Sequence, residues 1–455
     1  MNPLSVPGPE KKWSGRFPGN TVGNIWDSYN IDLERFPGRV SLADKSRRFA
    51  SGLGVVSQFI KTNATGGYQW FGLVPSTDIT SNGDGVITAG TWITDDITGT
   101  FNDPRDAVVH EIANGEERML RSRATDMAIL NSAAAANVWD ADWWTTVAGG
   151  PALTSLDYHP LARLQRLVAL GDKQSGVPVI HTLDKDDVVQ SSRLSFGAEY
   201  TVRLALASSS RFWFGLQNDA DRNCKIIEWD GFSLTYNNEY ELDGAVPLTG
   251  WIDKNNKPYF ITEKGFIYRF SGGGFVKVQD FGIQEDRMVF TSSMSTTTAN
   301  STIFPRVVTV DGDVALINAA MPVIQDTIDA DTLTLGVRRG RGGLWAFNMQ
   351  NLNLYHMMGF GEHASAGTDV NYGTPYLKSP GAVVKSTVGA DRIIVASANV
   401  YVGGSRWLSS DEDGIYRMIR NNLHSSNAGR NRGYFITPFL SIGEAEAMFE
   451  AIWTK

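Results

Sequence analysis

The fold is decided by VPLTGWIDKNNKPYFITEKGFIYRFSGGGFVKVQDFGI, residues 246–283. Val246–Ile252 reads as a strand, and Asp253-Lys-Asn-Asn-Lys257 as a turn, because Asp and Asn adopt turn conformations at little cost. Pro258–Thr262 is the second strand. Glu263-Lys-Gly265 turns the chain into Phe266–Phe270, and Ser271-Gly-Gly-Gly274 turns it into Phe275–Val278. Four strands and three tight turns in about 38 residues make an antiparallel meander. Repeated meanders of this size, ~40–45 residues in the best-known repeats, build β-propeller blades.

Outward from this unit the chain reads as diverged copies. Leu53–Ile60, Tyr68–Val74, Gly85–Thr88 and Thr91–Thr94 are candidate strands, with a turn at Asn63–Gly67. Residues 108–131 carry the turn Asn114-Gly115, and Val138–Trp144 completes that unit. Leu164–Leu170 and Val177–Thr182 follow. Tyr200–Leu206, Arg211–Gly215 and Lys225–Trp229 come next, with a turn at Asp230-Gly231. Val307–Val310, Val314–Ile317 and Leu344–Phe347 form another unit, with an excursion from Ala319 to Leu335. Ala382–Lys385, Arg392–Ala396, Asn399–Val402 and Gly414–Met418 form the last. The expectation is an all-β propeller of about seven four-stranded blades, each roughly 55 residues with insertions, within the ~4–8 blades such folds use. Residues 1–50, broken by Pro3, Pro7, Pro9, Pro18 and Pro37, read as an extended N-terminal arm. The propeller spans 51–436. Residues 437–455 hold a strand end and a short C-terminal helix over Gly443–Trp453, with Met448, Phe449, Ile452 and Trp453 on one side at helical spacing.

Composition agrees with many short strands: 46 glycines and 11% aromatics in 455 residues. One cysteine, Cys224, excludes an intrachain disulfide. The net charge of −8 carries no global basic footprint for nucleic acid. No 18-residue apolar run is present for a membrane span, and MNPLSVPGPEKKW lacks the apolar centre of a signal peptide.

Aromatics recur in the units as Tyr268 with Phe270, Ile227 with Trp229, Trp345 with Phe347, and Ile415 with Tyr416. Two readings stand: packing between blades, or a ligand-stacking platform. Trp143 and Trp144 are adjacent, so in a strand they point to opposite faces, and one is expected to be exposed, at a blade edge, or against the arm. No catalytic constellation is found. The histidines at 110, 159, 181, 356, 363 and 424 form no HExxH motif, and His356 and His363 read as a Gly-rich loop pair. There is no nucleophile elbow, P-loop or dinucleotide glycine fingerprint. Thr80–Thr88 resembles part of a calcium loop, but Thr91 stands where the bidentate acid belongs. Asp219–Asn223 and Asp411–Gly414 are also incomplete. These three are hairpin turns on this reading, and no metal or cofactor is expected. The basic run Arg338–Gly343 reads as a solvated loop, or as a phosphate or acidic-partner contact.

WDSYNIDLERFPGRVSLADKSRRF (26–49), DYHPLARLQRLVALGD (157–172), CKIIEWDG (224–231), GFIYRFSGGGF (265–275) and RGYFITPFLS (432–441) together resemble tailed-bacteriophage virion proteins built on β-propellers. The resemblance implies a non-enzymatic structural part of the virion, such as a nozzle, tail hub or attachment protein. It also implies a homo-oligomeric ring, contacts with other virion proteins and passing contact with genomic DNA. The candidate assembly contacts are Trp26, Tyr29, Phe36 and Arg39 on the arm and Phe449 and Trp453 on the helix. Removing residues 1–50 is expected to leave a folded disc that fails to assemble. A glycan-binding or glycan-cleaving propeller for host attachment is the alternative, with Trp143, Trp144 or Trp213 stacking on sugar. A WD40-type scaffold ranks last, because its Gly-His and Trp-Asp signatures are missing.

Overall fold

The computed structural model describes residues 106–123, 125–130, 139–140, 142–154, 158–220, 223–242, 246–281, 307–319 and 343–358, and further short strands named below, mainly in backbone. The deciding stretch folds as read. Pro247–Ile252, Pro258–Thr262, Phe266–Phe270 and Phe275–Asp280 pair antiparallel in chain order. Its turns bring Asn256, Gly265 and Gly272 to φ of 61°, 73° and 85°, the left-handed region that Asn and Gly tolerate best.

That sheet, IV, has four equivalents around it. Sheet I is Asp106–Glu111, Glu117–Ser122, Met127–Leu130 and Trp139–Asp140. Sheet II is Leu161–Leu164, Leu167–Gln174, Val177–Leu183 and Val189–Ser195. Sheet III is Tyr200–Ala207, Phe212–Asn218, Cys224–Trp229 and Asn238–Leu242. Sheet V is Val308–Asp311, Val314–Ala319, Gly343–Asn348 and Leu354–Met358. Each is an antiparallel meander in chain order, and the first strands of successive sheets lie side by side. The protein is an all-β propeller, with five blades whose packing is described where the sequence predicts about seven. Two more four-stranded sheets are traced chiefly in backbone. Sheet VII is Val56–Thr62, Tyr68–Leu73, Asp84–Thr88 and Thr91–Thr94. Sheet VI joins Lys378–Lys385, Asp391–Asn399 and Gly414–Ile419 to Ser46–Ser51.

Blades are covered on both faces, so their inner strands are buried runs rather than alternating ones. Phe212 to Gln217 is buried without a break. Close approach is set by glycine: a Cβ on Gly171 would lie 2.9 Å from Val202 of the next blade, and one on Gly215 would lie 2.7 Å from Pro247. The recurring aromatics serve this packing. Trp229, Trp345, Phe347 and Tyr268 are all buried.

Several expectations are corrected. The C-terminal helix over Gly443–Trp453 is not formed at its start, where Ala445–Ala447 pairs antiparallel with Leu440–Ile442. A helix of roughly ten residues is marginal by itself, and a strand partner supplies backbone hydrogen bonds directly. Leu164–Leu170 is not one strand: Gln165 takes φ 55° and turns Leu161–Leu164 into Leu167–Gln174. Val138–Trp144 is not a strand throughout, since Trp143–Thr146 is one helical turn. His356 lies in the strand Leu354–Met358 rather than in a loop. The excursion expected after Ala319 falls between paired strands Val314–Ala319 and Gly343–Asn348. The arm is partly built into the sheets. Ser46–Ser51 is the fourth strand of sheet VI, and Asp27–Tyr29 pairs with Tyr434–Ile436.

Candidate functional site

The proposed stacking residues are not on the surface. Trp143 and Trp144 sit on the helical turn after sheet I, 5% and 0% exposed. One helical turn sends both side chains inward, which a strand could not do. Trp144 Nε1 donates to the Pro151 carbonyl at 2.8 Å, and its ring meets His181 edge-on. Trp213 is buried among Tyr240, Phe270 and Phe275. Trp26, Phe36, Arg39, Phe449 and Trp453 lie outside the described residues, as does the side chain of Tyr29. So do residues 338–342 of the basic run and the loop before Asp84. Among the described residues no group of three His, Cys, Asp or Glu side chains is placed to hold a metal. Asp219 accepts from Thr201 Oγ1 at 2.8 Å and pairs with Lys173 at 2.7 Å, so its role there is a hairpin tie.

Blade II encloses a polar network that the sequence reading missed. Its centre is the Asp172 carboxylate, on the second strand and fully buried with His159 and His181. Asp172 accepts from the Thr154 amide at 3.2 Å, from Gln174 Nε2 and from His181 Nε2 at 3.4 Å. His181 Nδ1 accepts from the Ser192 amide at 3.0 Å, which leaves the proton on Nε2 facing the carboxylate. His159 faces carbonyl oxygens on both ring nitrogens, Gly171 O at 3.1 Å and Thr154 O at 2.8 Å. Asp172 Oδ1 lies 3.7 Å from its Nδ1. Burial works to raise the Asp172 pKa, but the His181 bond, the His159 charge and the Gln174 bond outweigh it and hold the carboxyl below its ordinary range. Asp172, His159 and His181 are buried at its centre, while Thr154 and Ser192 reach the surface, so the network ties strands together.

A second polar group spans the seam between blades I and II. His110 Nε2 meets Asp187 Oδ1 at 3.3 Å, and Arg118 Nη1 donates to Asp187 Oδ2 at 3.1 Å. Arg163 Nη2 donates to Glu111 at 2.9 Å and Nη1 to the Val109 carbonyl at 3.1 Å. Burial lowers the His110 pKa against the pull of Asp187.

The feature that faces solvent is on blade III. The connection after Trp229 presents Phe232, Leu234 and Tyr236, all exposed. Every second residue is apolar, yet the loop is held in one shape. The Asp230 carboxylate accepts from the amides of Phe232 and Ser233 at 2.8 Å each, and from Ser233 Oγ at 2.7 Å. These bonds overcome partial burial and hold its pKa far below the carboxylate range. Trp229 Nε1 donates to the Ser233 carbonyl at 2.9 Å, Arg193 Nη2 donates to the Phe232 carbonyl, and the Phe196 ring touches Tyr236. Gly231, at φ 87°, fits between Leu167 and Phe212. In the sequence the signal was the apolar alternation directly after the Asp230-Gly231 turn.

No protein-family model matches the chain, and no curated protein matches it. Solved structures do. The extracellular domain of the hybrid two component system BT4673 of B. thetaiotaomicron aligns with 90% of this chain at 11% identity and TM-score 0.49. The chain spans about half of that protein's length, 47%. A streptogramin B lyase aligns with 82% of the chain at 9% identity and TM-score 0.46, over 97% of its own length. The computationally designed protein Ika8 aligns with 82% at 9% identity and TM-score 0.42, over 99% of its length. At these identities the likenesses concern the fold alone.

Proposed function

We propose that this protein is a non-catalytic structural part of a bacteriophage virion, a tail-associated nozzle, hub or adaptor that assembles with neighbouring subunits. The virion setting comes from the sequence resemblance of the arm, the blade hairpins and the closing segment. The assembly role is carried by one observation: a rigid blade holds Phe232, Leu234 and Tyr236 in water on a loop pinned by Asp230. Exposed apolar side chains at an ordered site mark a protein-binding surface, because the ordering cost of binding is already met. The buried His159, Asp172 and His181 serve the frame.

We also infer a closed ring of seven blades. Its support is the contact pattern. Val308–Asp311 and Val314–Ala319 lie against Lys378–Lys385 of sheet VI, that strand lies against Val56–Thr62 of sheet VII, and Val56–Thr62 lies against Asp106–Glu111 of sheet I. Ser46–Ser51, from the other end of the chain, completes sheet VI and so latches the ring.

Mass spectrometry of density-purified particles tests the placement. The protein should appear at a fixed copy ratio to other structural subunits; its presence only in the soluble host fraction would sink the virion reading. The glycan reading is tested on a glycan array with the purified chain; among the described residues Phe232 and Tyr236, not the buried Trp143, Trp144 and Trp213, are the exposed rings. Tight retention of DNA at physiological salt would count against passive contact with the genome, since that takes Lys and Arg on phosphate.

A further inference from the structure

Six large apolar side chains are markedly exposed among the described residues, and five of them follow the outer rim of three consecutive blades. Phe232 (73%), Leu234 (76%) and Tyr236 (39%) precede the outer strand of blade III. Val188 (53%) precedes the outer strand of blade II, and Val276 (51%) lies on that of blade IV. The outer strands of III and IV are in contact, and Arg193 on the outer strand of II reaches the Phe232 carbonyl. The five therefore mark one arc of the disc's edge.

From this arc we propose that a second copy of this chain docks there, rim against rim about a two-fold axis, with the Phe232–Tyr236 ridges side by side. The proposal rests on the assembly reading and names its partner and surface. Area argues for a copy of the whole protein rather than a short peptide. At roughly 150–200 Å² for a large side chain, the exposed fractions leave about 500 Å² of apolar surface. An interface about 57% apolar would then cover about 900 Å² on each copy, close to the ~800 Å² per partner of a stable complex. Charge permits self-association as well. Arg193 lies beside the ridge, where it donates to the Phe232 carbonyl, and Glu241 lies on the outer strand after it, while Glu239 is already paired with Lys225 at 2.7 Å. A two-fold axis brings basic groups toward acidic ones and not like toward like. The alternation of Phe232, Leu234 and Tyr236 suits such an axis, because it places Leu234 opposite its own copy.

Sedimentation velocity of the full chain from about 1 to about 100 µM reads the association. The wild-type protein should pass from monomer to dimer. Leu234→Asp should stay monomeric, weakening association at least about thirtyfold, with an unchanged melting transition because the side chain is exposed. Thr235→Cys, on the ridge next to Leu234, should give a disulfide-linked dimer under mild oxidation, while buried Cys224 gives none in the parent. A wild-type chain that remains monomeric overturns the proposal. So do oligomers that Leu234→Asp leaves intact, or a dimer that Thr235→Cys does not cross-link. In the last two cases assembly through another surface would survive, so loss of this contact is separable from loss of the structural role.

Discussion

Two seams of the same disc share an apolar core but differ in what is added to it. Between blades III and IV the contact is aromatic. Trp213 of blade III meets Phe270 of blade IV at 5.1 Å, and Tyr240 of III lies 5.6 Å from Phe275 of IV. Between blades I and II an apolar cluster, in which Leu120 and Ile129 pack with Leu161, Val168 and Leu170, is joined by polar ties. Asp106 accepts from the Leu161 amide at 2.8 Å, the Ala113 amide donates to the Lys185 carbonyl at 2.9 Å, and Ser122 Oγ donates to the His159 carbonyl at 2.6 Å. Arg163 and Asp187 add charged ties at the same seam. Aromatic burial is non-directional and contributes most of its free energy through area. Directional bonds contribute less net free energy each, but they fail at a high cost when one partner is lost. One fold thus sets blade on blade by filling space alone or by filling space with added polar ties, and the two seams should respond differently to pH and salt.

Trp213→Ala should give the largest effect, about 3–5 kcal/mol of lost stability in urea or thermal unfolding, as for other buried aromatics cut to Ala. That loss should hardly change with pH or salt. Trp213→Phe sharpens the point. The indole Nε1 is buried without a hydrogen-bond partner among the described residues, so Phe gives up volume but also removes an unsatisfied donor. Its cost should stay under about 1.5 kcal/mol, the range of volume-tolerant apolar swaps. Equal losses for Ala and Phe would show that shape alone governs this seam.

Asp172→Asn tests the polar side. The amide keeps the shape, but the buried carboxylate charge is lost and an NH₂ group faces the Thr154 amide and Gln174 Nε2 donors. A loss of roughly 1–3 kcal/mol is expected. The signature is its pH dependence. The native Asp172 pKa lies below its unfolded value, so its contribution is complete above the ordinary carboxylate range and fades as pH falls through the folded value. Wild type and variant should therefore converge only in strong acid. A constant gap down to that pH would mean that packing, not charge, sets the cost.

At the seam between III and IV, Gly215→Ala probes close approach. Its new methyl would meet Pro247 Cγ at 2.7 Å, and an overpacking cost of about 1–3 kcal/mol should follow, read by thermal unfolding. A neutral result would show that the blade can shift.

What was legible follows the same division. Sheet IV could be read because Asp253, Asn256, Gly265 and Gly272 announce its turns, and because its strands are rich in Tyr, Phe and Ile. The turn at Gln165-Arg166 could not, since neither residue favours left-handed backbone and tertiary pairing imposes it. The polar outer strands Val189–Ser195 and Asn238–Leu242 also escaped, because one side faces water and carries little apolar pattern. Histidines 159 and 181 show no spacing motif with Asp172. They converge only because the strands Leu167–Gln174 and Val177–Leu183 pair and a loop folds His159 back onto them. The ridge was written in plain alternation, but its rigidity depends on the Asp230 carboxylate, which looked like an ordinary turn residue.

The smallest expected effect lies at His110. Its folded pKa is lowered, chiefly by burial, with Arg163 and Arg118 adding to the lowering and Asp187 opposing it. Between the folded value and the unfolded value of about 6.5 the unfolded chain binds the extra proton, so stability falls as pH drops through that window. A tenfold difference in proton affinity between the two states is worth about 1.4 kcal/mol. His110→Gln keeps a polar side chain for Asp187 and removes the titration. Its stability curve should be flatter than wild type below about pH 6.5 and should differ little above it. The aromatic seam has no titrating group in this window, so a variant there should leave the slope unchanged. If His110→Gln keeps the full acid slope, the pH sensitivity belongs to another group and the seam between blades I and II is not where the disc first yields to acid.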